Sequence, residues 1–166
     1  MKLAALMLGA WTAAATGSAP HLRVETGRAQ VVVRREARTL TPENGDVRLP
    51  ERATLEAAAG SALELRWPGF ASLQVTGPAL FEVDGSRLVL GSLESAEIEV
   101  RRGRFALEFP GVFRADLEGG ALQLVALPNG GVELLNRSGG ELEIRPQGRG
   151  TTTLAPGQRL RLRPAG

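Results

Sequence analysis

The chain has no cysteine and no tyrosine, a single histidine (His21), a single lysine (Lys2) and only 4% aromatic residues. Without cysteine there are no disulfides, no thiolate metal sites, no thiol nucleophile and no lipid anchor of the kind that needs a cysteine at its cleavage point. So few aromatic side chains offer little platform for stacking bases. The 20 basic and 18 acidic residues leave a formal charge of only +2. That balance gives no electrostatic case for nucleic acid, which calls for a clustered basic face. His21 has no serine, aspartate or metal-ligating partner at a meaningful spacing and is expected to be a surface histidine.

Long apolar runs are also missing. Leu3 to Trp11 is the longest, far short of the ~20 residues of a membrane-spanning helix. With Lys2 before it and Ala13-Ala14-Ala15 after it, the run has the pattern of a secretory signal. Residues 1–19 are therefore expected to be a signal peptide and short lead, cut between Ala15 and Ala19. Ala15 is the better site, because Pro20 would follow a cut after Ala19. The mature chain is expected to be periplasmic or extracellular, without a membrane span. Residues 20–166 are enough for one domain with a real core.

What the sequence has in quantity is short alternating segments. Ala62–Trp67, Glu97–Arg101, Arg104–Phe109, Glu141–Arg145 and Arg159–Arg163 alternate apolar with polar or small residues. Successive strand side chains point to opposite faces, so each segment has a core face and a water face. Gln30–Arg34 is the first clear strand by its β-branched residues, and residues 20–28 look like an extended lead-in. Residues 51–59 have helical composition but are short and interrupted by Thr54, so a strand is preferred. From Gly60 onward Gly, Pro, Asn and Asp turns recur at short intervals, and Asp84-Gly85 is the best two-residue hairpin turn. No fixed-period repeat is present. The expected fold is all-β, with short strands in a compact β-solenoid or irregular double-layer sheet; a β-sandwich is the alternative. The inward set runs from Leu63, Leu65 and Trp67 through Phe81, Val83, Ile98, Val100, Phe105, Leu107 and Phe109 to Leu142, Ile144, Leu160 and Leu162.

Candidate chemistry is thin. Glu97 and Glu99, Glu141 and Glu143, and Glu82 and Asp84 each stand two apart, which puts both acids of a pair on one strand face. Paired acids can run hydrolysis, but arginine neighbours point to solvated faces with cross-strand ion pairs. The few aspartates speak against a calcium loop, and the Gly-rich segments open no helix that could cradle phosphate. Asn136-Arg137-Ser138 fits a glycosylation acceptor, with a turn as the simpler role. Arg159, Arg161 and Arg163 form a basic stripe on one strand face. It is the candidate partner contact, with edge protection as the plainer reading. No catalytic, cofactor-binding or metal residue is assigned.

Several stretches resemble the extracytoplasmic domain of the FecR family over about Val24 to Leu162. Ala29–Val33 is similar to the opening strand. Gly45-Asp46, Ala53–Glu56 and Gly60–Leu65 resemble the next passage. Gly69–Val83 is the most specific piece, and Leu88–Leu90 with Arg102–Phe105 is similar to the passage before the central strands. Leu154-Ala155-Pro156-Gly157-Gln158-Arg159-Leu160 looks like the closing turn. Asp116–Gly120 lacks the Gly-Thr pair usual after the central strands. The family's regulators also carry a cytoplasmic sigma-factor-binding segment and a transmembrane helix, and neither is written in these 166 residues. The resemblance implies a solenoid-like domain and a secreted, non-catalytic interaction module that binds a protein or envelope partner. Two alternatives remain: a sensory domain of a sigma-regulator system working with a separately encoded membrane part, or an envelope polysaccharide hydrolase using a carboxylate pair.

Overall fold

The computed structural model describes residues 19–164; the signal-peptide expectation lies outside them except at Ala19. Apart from one 3-10 turn at Pro42–Asn44, all regular structure among the described residues is strand. The strands form two sheets of eight and nine members stacked as a double layer. The first sheet contains β1 (His21–Thr26), β4 (Val47–Arg48), β6 (Ala62–Trp67), β7 (Ala71–Thr76), β10 (Ser95–Val100), β13 (Gly120–Ala126), β14 (Val132–Asn136) and β17 (Arg159–Leu162). The second contains β2 (Ala29–Val33), β3 (Glu36–Leu40), β5 (Arg52–Ala57), β8 (Ala79–Asp84), β9 (Arg87–Ser92), β11 (Phe105–Phe109), β12 (Phe113–Leu117), β15 (Leu142–Pro146) and β16 (Thr152–Leu154).

The order is β4-β1-β6-β7-β10-β13-β14-β17 in one layer and β3-β2-β5-β8-β9-β11-β12-β15-β16 in the other. The chain therefore advances steadily from one edge of the double layer to the other, crossing between sheets every one or two strands. Only β9 and β11 pair in parallel, after a full circuit through β10 in the opposite sheet. The layers otherwise grow by antiparallel neighbours, not by the stacked parallel coils of a regular solenoid.

Alternation accounts for the core. Leu63, Leu65 and Trp67 of β6 are 1%, 0% and 1% exposed, and the inward residues of β7 to β13 are buried with them. Phe109 and Leu160 are only half-buried, packed against the rim of this core. The described residues offer no α-helix to cover a sheet, so each apolar sheet face buries itself against the other. Trp67 links the layers: its Nε1 donates to the Gly85 carbonyl at 2.9 Å, and its ring meets Phe105 edge-on at 4.8 Å. A buried indole needs such a partner for its one donor.

Two local expectations need correction and a third is met. The lead-in at 20–28 is a strand, β1, paired to β6 and β4, with Leu22 and Val24 buried. Two apolar residues in alternation are a weak signal on their own, and it is the neighbouring β6 that fixes them. The preferred strand in 51–59 is present as β5, with Ala53, Leu55 and Ala57 inward; pairing on both sides overrides its helical composition. The hairpin turn between β8 and β9 lies one residue later than expected. Asp84 pairs with Arg87 across it, leaving Gly85-Ser86 as the loop with the left-handed φ of 60° on Gly85. Glycine at the first loop position suits the twist of the flanking strands.

Candidate functional site

Outward residues line up in rows across each sheet. One row of the first sheet runs Arg23, Glu64, Gln74, Glu97, Gln123, Leu135 and Arg159. The acids of the candidate pairs Glu97 and Glu99 stand in neighbouring rows and are matched by arginine: Glu97 with Arg137 at 3.4 Å and Glu99 with Arg101 at 3.1 Å. Glu82 is matched by Arg52 at 3.4 Å. Glu141 and Glu143 instead line a depression beside β12 and β15 with Asp116, Arg104 and Arg145. No group of three or more metal-ligating side chains is assembled among the described residues.

A wider depression of about 580 Å³ lies on the first sheet's outer face, with His21, Asp46, Glu64, Arg66 and Glu99 in its lining. Its charges satisfy one another. Arg66 bonds Asp46 at 2.8 Å and reaches Glu64 at 3.5 Å, while Arg23 bonds Asp46 at 3.0 Å. Partial burial works to raise the Asp46 pKa, but the hydrogen bonds and charges of Arg23 and Arg66 outweigh it and hold the carboxyl below its ordinary value. His21 sits between Arg48 and Arg66 in the cross-strand row, half-exposed as expected of a surface histidine.

Asn136 is one residue whose role the sequence did not reveal. Its side chain is fully buried. Nδ2 donates to the carbonyls of Gly140 and Leu154, both at 2.8 Å, and Oδ1 accepts from the Ser138 backbone N–H at 2.8 Å. Both amide hydrogens are thus spent on tying the β14–β15 loop to β16. A glycan on Asn136 would need one of them and the space around it, so the Asn136-Arg137-Ser138 tripeptide is a structural bolt.

The arginine stripe falls on the last strand of the first sheet. Arg159 and Arg161 face outward on β17, and Arg163 follows the strand and is exposed. Both strand arginines grip Glu133 of β14: Arg159 Nη1 to Oε1 at 3.3 Å and Arg161 Nε to Oε2 at 2.8 Å. Hydrogen bonding from Arg161, reinforced by both positive charges, holds the Glu133 carboxyl below its usual pKa despite partial desolvation. The carboxylate is covered, at 16% exposure, while the arginine side chains stay 67% and 76% exposed. One carboxylate is thus shared by two guanidiniums that keep most of their donors open.

β17 is also a sheet edge, paired only with β14. The Asn136 backbone N–H donates to the Gln158 carbonyl at 3.2 Å. Antiparallel partners alternate between hydrogen-bonded and non-hydrogen-bonded pairs. Counting from Asn136 and Gln158 along the register, Leu160 and Leu162 turn their backbone groups toward β14. Arg159 and Arg161 turn theirs toward the open side.

The other edges differ. β4 has two residues and β16 three. β3 has five, but Glu36 and Arg38 stand in register with Val33 and Val31, on the face that elsewhere is core. An inward charge on an edge strand discourages further pairing. Among the described edge strands, β17 carries the core alternation furthest, with Leu162 buried and Leu160 half-covered. No family model, curated protein or solved structure matches the chain, and no helix among the described residues is long and apolar enough to cross a membrane.

Proposed function

We propose that the chain is an exported, non-catalytic binding module of the FecR type that takes a protein partner of the cell envelope onto the edge strand β17. The observation that carries this reading is the combination on one edge of outward backbone groups, an incompletely covered Leu160 and guanidiniums with donors to spare. Strand addition uses these elements: main-chain hydrogen bonds for affinity and alternate side chains for selectivity. The resemblance over Val24 to Leu162 and the signal-like first residues support an extracytoplasmic setting. A carboxylate-pair hydrolase is less well supported, because Glu97 and Glu99 each stand against an arginine.

The test is capture of partners from envelope extract. Arg161→Pro removes an N–H that faces the open edge and leaves the β14 ladder intact, so it should melt close to the parent. It should lose capture far more than Arg161→Ala does. Equal loss from both would indicate a side-chain charge contact, and unchanged capture by Arg161→Pro would exclude the β17 edge.

A further inference from the structure

Resting on that reading of β17, we infer that its partner is an extended protein segment that alternates acidic and apolar residues, with the acids outward. The inference comes from what an added strand would meet on each face. Across β17 a new strand places alternate side chains opposite Arg159 and Arg161 on the outer face and opposite Leu160 and Leu162 on the inner face. On the β14 side the same two arginines are already matched by one carboxylate, Glu133. Their charge exceeds that of Glu133 by one, and Arg163 adds to the surplus just beyond the strand. Opposite charges directly across a ladder attract and like charges repel. An outward acid is therefore favoured and an outward lysine or arginine disfavoured.

The inner face asks for the opposite chemistry. Leu162 is 3% exposed, whereas Leu160 is only half-buried at the rim of the core. A side chain arriving beside Leu160 leaves water and extends that core, so an apolar residue is favoured and a charge penalised. The same arrangement argues against a second copy of this chain pairing β17 with β17, since that would set Arg159 and Arg161 of the two copies against each other. It also separates β17 from β3, where an incoming inward side chain would meet Glu36 and Arg38.

The experiment uses three short synthetic peptides of equal length with the parent protein, read by fluorescence anisotropy at low salt. One alternates Glu and Val, one alternates Lys and Val, and one holds the Glu and Val residues in scrambled order. The alternating Glu peptide should bind about tenfold or more tightly than either other peptide, because at least two cross-strand contacts change sign or leave the core face. Arg159→Ala with Arg161→Ala, both exposed positions, should melt near the parent and abolish the Glu-over-Lys preference. Equal binding of the Glu and Lys peptides to the parent, lost for both in Arg161→Pro, would overturn the acidic code and leave the edge reading standing. A preference that survives in the double alanine variant would also overturn it, since the acids would be read elsewhere. Binding by none of the peptides would overturn both the inference and the edge reading.

Discussion

The two ends of the double layer are finished in different ways. At the first end, β4 is cut to two residues and Asp46 beside it is held by Arg23 and Arg66. The 3-10 turn leading into it is closed by a reciprocal cap, with the Thr41 backbone N–H donating to Asn44 Oδ1 at 2.8 Å. Its partner edge β3 turns Glu36 and Arg38 onto the core-side face. At the last end the interior is secured just as firmly, by the Asn136 amide spanning β14, its loop and β16. The outermost strand, however, keeps leucine inward and arginine outward, as an interior strand would. A stacked architecture needs polar terminal elements to stop its growth. One end has that stop; the other has the pattern that continues.

Both ends lean on one core, so Leu65→Asp in β6 should bury an unpaired charge costing several kcal/mol, a large part of the ~5–15 kcal/mol of a domain. Chemical denaturation should show the whole fold lost together; a parent-like midpoint would refute the inward assignment of β6. Next in size, Asn136→Ala should remove the last end's bolt and take the Nδ2 donor from the buried Leu154 carbonyl, at about 1–3 kcal/mol, while the Gly140 carbonyl keeps its bond from Ser138 Oγ at 2.9 Å. Exchange of amide hydrogens should then speed up in β15 to β17 before β1 to β4.

The stop at the other end can be removed as well. Glu36→Val with Arg38→Val should make β3 as apolar on its inner side as β17, and the protein should self-associate in sedimentation while keeping its fold. A strictly unchanged mass would show that those charges do not guard the edge. The smallest effect concerns pH. The folded-state pKa of Asp46 lies below its ordinary 3.8, so its contribution is present above that value and lost as pH falls through the folded-state pKa. Parent and Asp46→Asn should differ in melting temperature by a small constant amount from neutrality down to about pH 5 and converge in stronger acid, since exposed ion pairs contribute little.

Strands with three apolar residues in alternation, such as β6, were legible in the sequence because period-two patterning depends only on the chain itself. β1 was not, since its two buried residues gain meaning only from β6 and β4 beside them. The arginine stripe was visible as a pattern, but its standing as an edge was not, because which strand ends a sheet is a property of the pairing order. Asn136 was legible only as a sequence tripeptide; its burial follows from Leu154 being brought 18 positions back to meet it.

On the proposed reading, β17 receives a strand and β3 does not. Residue-resolved hydrogen exchange of the parent protein, with and without a saturating alternating Glu-Val peptide, tests it most directly. Exchange should slow at the Arg159 and Arg161 amides, whose N–H groups face the open edge, and stay unchanged at Ala37 and Thr39 of β3. Slowing at β3, or across the outer face with Arg159 and Arg161 unaffected, would contradict it.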